Sequence, residues 1–300
     1  MVAIATLPGL QAPAGKQVNL FYNTSNNNLG LEQRSEGKGQ DPSDVIYVAS
    51  GTDQPGYIVN PSHIASADLA GVGLVFGFTK QKQQDVKVPS GVQDPAPPTQ
   101  NDVSIISPIY RSLTSTELGN TSIAACSSAE VAWVFYFSGG NGNALVIKEE
   151  IVGDSNPASY DDTPAILPGS GLAAYYVPSN DSRFVIYQTK NSIREFEAHG
   201  SDSPIQYADA AEKSPLSAVH ANGKVYLYYR TSHGDLRKVI KEDGVWGSAE
   251  AITDSRSVDA DSQIAVIYAG GYNHIFYAAT GTSPGKFVHL KDYIGTGESD

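Results

Sequence analysis

The stretch that decides the fold is Val225-Tyr-Leu-Tyr-Tyr-Arg-Thr-Ser-His-Gly-Asp-Leu-Arg-Lys-Val-Ile240. Both of its ends are rich in β-branched and aromatic residues, and the Gly-containing segment between them is typical of a tight turn. The stretch therefore predicts a β-hairpin, with strands over residues 225–230 and 236–240. Trp246, which follows Asp243 and Gly244, is predicted to open a further, outer strand.

A short apolar phrase rich in alanine precedes this hairpin, and similar phrases recur along the chain. The phrases begin at Ile4, Ile64, Ile123, Leu172, Leu216 and Ile264. Successive phrases start 44 to 60 residues apart, which is close to the length of one β-propeller blade. Each phrase is followed by a second run that is dense in tyrosine and phenylalanine. We therefore predict an all-β protein in which residues 1–300 form a single six-bladed β-propeller.

The alanine content of the phrases has a steric explanation. Strands that converge around a narrow axis approach closely only where their side chains are small, and larger side chains then fill the wedges between neighbouring blades. A β-sandwich would explain the strands but not six copies of one phrase. Two blades carry longer inserts, over residues 33–61 and 79–121, which are either binding loops or surface decoration.

Composition and charge exclude several function classes. The formal net charge is −12, so a basic surface for nucleic acid is not expected. No run of about 18 apolar residues is present, so no membrane span is expected. The single cysteine, Cys126, lies in an apolar phrase and is interpreted as a buried small side chain. The histidines lack metal-site spacing and no nucleotide-binding loop occurs, so we expect no metal and no cofactor.

The compartment and the oligomeric state stay open at this point. The chain contains three Asn-x-Ser/Thr sequons, at Asn23, Asn120 and Asn180, which favour the secretory pathway weakly. The first residues lack the basic and apolar regions of a signal peptide, so a cytoplasmic location is not excluded.

Three motifs of the fourth and fifth repeats resemble the blade signature of the fungal fucose-specific lectins. They are Val225-Tyr-Leu-Tyr-Tyr-Arg230 with Leu236-Arg-Lys238, Ile186-Tyr-Gln188 with Ile193-Arg-Glu195, and Asp243-Gly-Val-Trp246. The resemblance implies a six-bladed propeller that binds fucose between adjacent blades. In that family an arginine of the second strand and a glutamate of the third bind the sugar hydroxyls, while an aromatic ring covers the apolar face of the sugar.

The residues of that sugar clamp are largely missing here. The family arginine corresponds to Asn19, Leu74, Trp133, Phe184, Tyr226 and His274 in the six blades. The family glutamate is retained as Glu195, but Arg183 is one position out of register and is expected on the opposite face of its strand. Trp246 keeps the aromatic position, where it either contacts a ligand or packs in the outer strand. Fucose binding by the family mechanism is therefore disfavoured.

A second candidate site comes from the ring geometry. The fifth residue of each of the last five phrases is predicted to lie near one mouth of the central channel, and these residues are Asp68, Ser127, Tyr176, His220 and Tyr268. His220, Tyr176 and Tyr268 are the candidate catalytic residues, because an imidazole or a phenol can donate a hydrogen bond or move a proton. Asp68 and His63 are candidate ligand contacts. The alternative is that these side chains only hydrate the channel rim.

Two functions of different classes follow from these patterns. The first is a lectin-derived propeller that binds a small hydrophobic molecule. It is similar in predicted fold to the fungal hetero-Diels–Alderases of tropolone-sesquiterpenoid pathways, which implies a cofactor-free cycloaddition. The second is a carbohydrate-binding lectin with altered or lost fucose specificity. The ligand contacts expected between blades are Trp133, Phe184, Tyr226, Glu195 and Trp246. A non-catalytic scaffold is a third possibility.

Overall fold

The computed structural model describes residues 2–9, 16–36, 46–49, 57–81, 99–140, 143–154, 156–283 and 285–295. Antiparallel strands form six sheets in it, and these are the blades of a β-propeller. Blade 1 contains β1 (Ile4–Pro8), β2 (Val18–Asn23), β3 (Leu29–Arg34) and β4 (Ile46–Ala49). Blade 2 contains β5 (Ile64–Leu69), β6 (Val72–Lys80), β7 (Gln100–Ser107) and β8 (Arg111–Glu117). Blade 3 contains β9 (Ile123–Ser127), β10 (Ala132–Gly140), β11 (Asn143–Ile151) and β12 (Ala158–Tyr160).

The second half of the ring repeats the same plan. Blade 4 contains β13 (Leu172–Val177), β14 (Ser182–Gln188), β15 (Ile193–Glu197) and β16 (Asp202–Pro204). Blade 5 contains β17 (Leu216–Ala221), β18 (Lys224–Arg230), β19 (Leu236–Glu242), β20 (Val245–Trp246) and β21 (Glu250–Ala251). Blade 6 contains β22 (Ala265–Ala269), β23 (Tyr272–Tyr277) and β24 (Val288–Tyr293). The first strand of each blade contacts the first strands of its two neighbours, so the ring is closed.

The hairpin predicted over residues 225–240 is present as β18 and β19. Its turn places Gly234 at a φ of 91°, which glycine adopts without a steric penalty. The backbone N–H of Asp235 donates to Thr231 Oγ1 at 3.1 Å within the same turn. The prediction of an all-β, six-bladed propeller is confirmed. The two longer inserts contribute β4, β7 and β8, and residues 37–45, 50–56 and 82–98 of these inserts lie outside the described residues.

The hydrophobic core consists of six layers, one between each pair of neighbouring blades. The layer between blades 3 and 4 combines Trp133, Phe135 and Phe137 of β10 with Val185 and Tyr187 of β14. Alternate residues of each second strand therefore point to opposite neighbours, as the period of a β-strand requires. Cys126 is buried in the same layer, and burial raises the pKa of its thiol above the usual range.

Buried serines precede most of the innermost strands and form a second repeat, which was not predicted from the sequence. They are Ser62, Ser122, Ser170, Ser214 and Ser262. In the last three blades the hydroxyl accepts a backbone N–H from the end of the second strand. The donors are Gln188, Arg230 and Ala278, at 2.8, 2.9 and 2.8 Å. Ser170, Ser214 and Ser262 therefore each link the segment that enters a blade to the second strand of the same blade.

Gln263 closes the ring at the point where its last blade meets the first two. Its buried side-chain oxygen accepts the backbone N–H groups of Ile4 and Ile64 at 3.1 and 3.2 Å. Its amide nitrogen donates to the Ile64 carbonyl oxygen at 2.7 Å. The backbone of Gln263 also donates to Val2. One side chain thus connects blades 1 and 2 to the segment that enters blade 6.

Among the described residues, no helix is long and apolar enough to span a membrane.

Candidate functional site

The central channel is a small cavity of about 110 Å³. Its wall is made by the innermost strands and includes Ala65, Ala124, Ala173 and Ala218. Pockets that hold drug-sized ligands usually measure about 300–1,000 Å³. The channel is therefore too small to be the main ligand site.

The residues predicted at the channel mouth lie at the ends of their strands and not in the channel wall. The Tyr176 hydroxyl donates to Asp181 at 2.7 Å, and the Tyr268 hydroxyl donates to the Gly295 carbonyl oxygen at 3.2 Å. Asp68 accepts the backbone N–H of Gly71 in its own turn. Among the described residues, no hydrogen bond or ring contact joins Tyr176, Tyr268 and His220. A shared catalytic role for these three residues stays a prediction.

His63 lies against the start of blade 2 and is 8% exposed. Its Nδ1 atom has no hydrogen-bond partner in the described part of the chain. Burial lowers the pKa of His63 to about 4, because a charged imidazole is poorly solvated there. The side chain is therefore neutral at pH 7, and its position gives it a packing role.

Acid is expected to destabilise the protein through His63. In the unfolded chain His63 has a pKa of about 6.5 and is protonated below that pH, whereas in the folded chain its lowered pKa keeps it neutral. The contribution of His63 to the free energy of unfolding is therefore fully present above pH 6.5 and is lost as the pH falls toward 4. Urea unfolding at pH 7 and pH 5 should reveal a loss of about 2 kcal/mol that is absent in His63→Asn. His233→Asn is the exposed control, and an unchanged pH slope in His63→Asn would contradict the prediction.

The positions that correspond to the family arginine are filled by buried packing residues. Leu74, Trp133, Phe184, Tyr226 and His274 are each less than one-tenth exposed. The first four point from the second strand of their blade toward the next blade, and His274 forms hydrogen bonds to His289 and to the Ala269 carbonyl oxygen within blade 6. Asn19, in blade 1, accepts a hydrogen bond from Gln33. These side chains occupy the interfaces that a bound sugar would need.

Glu195 has a cationic partner that the sequence did not indicate. Lys241 of blade 5 places its Nζ atom 2.6 Å from Glu195 Oε2, and both side chains are largely buried. The same ammonium lies 4.8 Å from the centroid of the Phe184 ring. Phe184 and Glu195 are neighbours on the face of blade 4 that contacts blade 5. In the described part of the chain no arginine pairs with Glu195, and a lysine from the adjacent blade takes that place.

Two further groups complete this ion pair. The Tyr175 hydroxyl donates to Glu195, and the Tyr175 ring stacks on Phe184 with centroids 4.9 Å apart. Burial and the neighbouring Glu195 carboxylate raise the pKa of Tyr175 above its usual range, so the phenol stays protonated. Trp246 packs against the same layer with its ring centroid 5.8 Å from Lys241 Nζ. The charges of this interface therefore neutralise each other within the protein.

A pocket of about 530 Å³ opens beside this interface, between blades 4 and 5. Its size suits a small organic molecule or one to two sugar rings. We call it the 4/5 pocket. Its lining residues are Tyr175, Val177, Pro178, Ser179, Asn180, Phe184, His220, Gly223, Val225, Lys241, Asp243 and Gly244. Apolar and hydrogen-bonding side chains therefore face the same space.

His220 is the predicted catalytic residue that lies in this pocket. Its side chain is partly exposed, and no protein hydrogen bond to its imidazole is found in the described residues. Burial lowers its pKa below the ordinary value, so the ring is neutral near pH 7. A neutral imidazole carries one donor and one acceptor. His220 is therefore available to bind a hydroxyl or a carbonyl of a ligand.

Arg183 lies on the opposite face of blade 4, as its one-residue offset predicts. It forms two hydrogen bonds to Glu149 of blade 3, at 2.7 and 3.1 Å, and its guanidinium lies 5.0 Å from the Trp133 ring centroid. Tyr160 also donates to Glu149, which is 1% exposed. This cluster uses the residue types of the sugar clamp, but its carboxylate is sealed from solvent. We assign it a structural role.

A second interblade pocket, of about 690 Å³, lies between blades 5 and 6. Lys238 donates to both carboxylate oxygens of Asp292 at its wall, at 3.0 and 2.8 Å. The buried Tyr228 hydroxyl also donates to Asp292. Asp292, Lys241 and Glu149 were missed by the sequence reasoning. Each pairs with a residue of another blade, and local sequence patterns hold no signal for such a pairing.

In the part of the chain that the structure describes, no cluster of three or more histidine, cysteine or acidic side chains could hold a metal ion.

Solved structures that are similar to this chain include fungal lectins with a six-bladed β-propeller fold. A fungal lectin of Aleuria aurantia, with a six-bladed β-propeller fold and a described fucose recognition mode, is 19% identical. Its TM-score is 0.63 over 98% of this chain and 96% of that one. The SapL1 lectin in complex with α-methyl fucoside is 13% identical, with a TM-score of 0.61 over 98% and 96% of the two chains. At these identities the likeness establishes the fold alone.

Two curated relatives match nearly the whole chain. They are the wall-associated proteinases of Coccidioides immitis (strain RS) and Coccidioides posadasii (strain RMSCC 757 / Silveira). Each is 27% identical over 310 residues, which cover 94% of this chain and 93% of the relative. No profile of a known protein family matches the chain.

Proposed function

We propose that this protein is a carbohydrate-binding, lectin-like propeller that takes its ligand in the 4/5 pocket. The observation that carries the proposal is the unpartnered, neutral imidazole of His220, which faces a pocket of mixed polarity between two blades. The similar solved lectins bind sugars, as the complex of SapL1 with α-methyl fucoside illustrates. The proposed ligand is a neutral saccharide, because the buried charges of this interface already form an ion pair.

The pocket offers the two kinds of contact that a pyranose ring needs. Asp243 and His220 supply hydrogen-bonding groups for hydroxyls, while Val177 and Pro178 supply apolar surface for C–H groups. The fucose mode of the lectin family is not part of the proposal. A sugar in that position would have to separate Glu195 from Lys241, which leaves a largely buried charge unpaired.

The curated relatives support a particular source of saccharide. Both are named as wall-associated, and a fungal wall is rich in polysaccharide. We therefore propose that the ligand is a cell-wall glycan, which lies outside the cytoplasm. This location also agrees with the sequons noted above.

Replacing His220 with leucine is the test of this proposal. Loss of one hydrogen bond to a ligand hydroxyl in a partly buried pocket should weaken binding about tenfold. Binding is measured by glycan array, by pull-down on chitin, β-glucan and mannan, and by titration with the best saccharide found. His220→Gln, which retains hydrogen-bonding groups, should recover part of the affinity, and His233→Leu on an exposed turn is the control. Equal binding by wild type and His220→Leu would contradict the proposed site.

A second candidate function rests on the same imidazole. A neutral donor beside aromatic side chains is also suited to orient a reactive diene and an alkene, as a hetero-Diels–Alder cycloaddition requires. His220 would then donate to a carbonyl of the diene, and no cofactor would be needed. A flat glycan array together with saturable binding of a terpenoid quinone methide precursor would favour this enzyme over the lectin.

A further inference from the structure

The three sequons of the chain occupy very different places in the fold. Asn180 is exposed and ends the short 3₁₀ turn Pro178–Asn180 between β13 and β14. Its neighbours Asp181 and Ser182 complete the sequon, and Asp181 adopts a left-handed conformation with a φ of 52°. A turn that presents an asparagine to solvent is the surface context that an attached glycan requires.

Asn120 has the opposite environment. It is 6% exposed, and its side-chain nitrogen donates to Thr116 Oγ1 at 2.9 Å and to Glu117 Oε2 at 2.8 Å. A sugar on this nitrogen would displace both hydrogen bonds and would not fit the buried site. A chain modified at Asn120 therefore could not reach this fold.

Asn23 is intermediate between the two. It is partly buried at the end of β2, and its side-chain nitrogen lies 3.4 Å from the carbonyl oxygen of Val59. Its side-chain oxygen is buried and has no partner in the described residues. A glycan here would separate β2 from the segment that enters blade 2.

Asn180 also lines the rim of the 4/5 pocket. The residues before it, Val177, Pro178 and Ser179, form one wall of the pocket, and His220 lies on the other side. A branched oligosaccharide is much larger than a pocket of about 530 Å³. A glycan on Asn180 would therefore begin beside the pocket entrance.

We infer that Asn180 is an N-glycosylation site whose glycan covers the 4/5 pocket and restricts access to it. The inference requires passage through the secretory pathway. The occupancy of the site does not depend on the proposed function, whereas its effect on ligands does.

In the glycosylation reaction, the Asn180 side-chain nitrogen bonds to C1 of the first sugar of a lipid-diphosphate-linked oligosaccharide. The C1–O bond to the diphosphate breaks, the nitrogen loses a proton, and the lipid diphosphate leaves.

Asp181 sets the expected level of modification. Its carboxylate lies between Asn180 and Ser182 in the sequon and repels the diphosphate of the donor. Asp181→Asn removes this charge, and asparagine also tolerates the left-handed conformation. The Asp181→Asn variant should therefore be modified more fully than the wild type, which we expect to be modified in part.

The experiment expresses the full chain behind a yeast secretion signal and maps glycopeptides by mass spectrometry before and after endoglycosidase treatment. We expect a glycan at Asn180 that increases in Asp181→Asn, and none at Asn120 in the folded product.

Pocket access is measured without any ligand, as the rate of His220 carbethoxylation by diethylpyrocarbonate, with exposed His233 as the internal control. The glycosylated form should react at least about fivefold more slowly at His220 than the deglycosylated form. An unmodified Asn180 in both proteins, or equal His220 rates, would overturn the inference. Neither result depends on which ligand the pocket binds.

Discussion

Gln263→Leu is expected to lower the free energy of unfolding by about 4 kcal/mol, because several buried backbone groups lose their partner at once. The Gln263 side chain accepts hydrogen bonds from the N–H groups of Ile4 and Ile64 and donates one to the carbonyl oxygen of Ile64. Leucine has a similar volume and fills the site, but it can make none of these bonds. Each buried N–H or C=O left without a partner costs about 1–3 kcal/mol.

The measurement is urea or thermal unfolding of the variant beside the wild type. A loss of this size should lower Tm by about 8 °C or more for a chain of this length. Gln206→Leu is the matched control, because Gln206 is exposed and the substitution is the same. If Gln263→Leu were as stable as Gln206→Leu, the ring would be closed by other contacts and the assignment to Gln263 would be wrong.

Lys241→Met should cost about 3–5 kcal/mol of stability, which is typical when one partner of a buried ion pair is removed. Glu195 is 5% exposed, and the substitution removes the cation that neutralises its buried carboxylate. Methionine retains most of the volume of the lysine stem, so the loss reports on charge more than on packing. Unfolding by urea gives the free energy directly.

The double variant Glu195→Gln/Lys241→Met separates the ion pair from the general effect of substitution. Because the buried charge is then absent, the double variant should recover most of the stability that Lys241→Met loses. Lys224→Met is the control, since its pair with Glu242 is exposed and screened by solvent, and its loss should change stability little. A loss in Lys241→Met no larger than that in Lys224→Met would mean that the interface does not depend on this pair.

Much of the fold followed from local patterns. The alanine-rich phrases at Ile123, Leu172 and Leu216 are the innermost strands β9, β13 and β17, because each phrase is short, apolar and repeated at blade length. The hairpin at Gly234 was predicted in the same way, from a glycine-containing turn between two runs of β-forming residues. Such features depend on residues close in sequence, and a strand period of two residues then assigns each side chain to a face.

The candidate site was predicted less completely. His220, Phe184 and Glu195 were named from the sequence, and they do meet at one interface, between blades 4 and 5. Their grouping was expected differently, with His220 at the channel mouth beside Tyr176 and Tyr268. The direction of a strand end relative to the axis depends on blade twist, which local sequence does not specify.

The sequence by itself determined the repeat, the strand order within each blade and the absence of arginine from the family positions. These properties depend on residue type and short-range spacing alone. Only the tertiary structure decided that Lys241 neutralises Glu195, that Gln263 joins the two ends of the ring, and that Asn180 and His220 share one pocket. Each of these pairs joins different blades or segments 40 or more positions apart in the chain. Ring closure alone brings such residues into contact, and their buried charges and backbone groups are then satisfied across the interfaces.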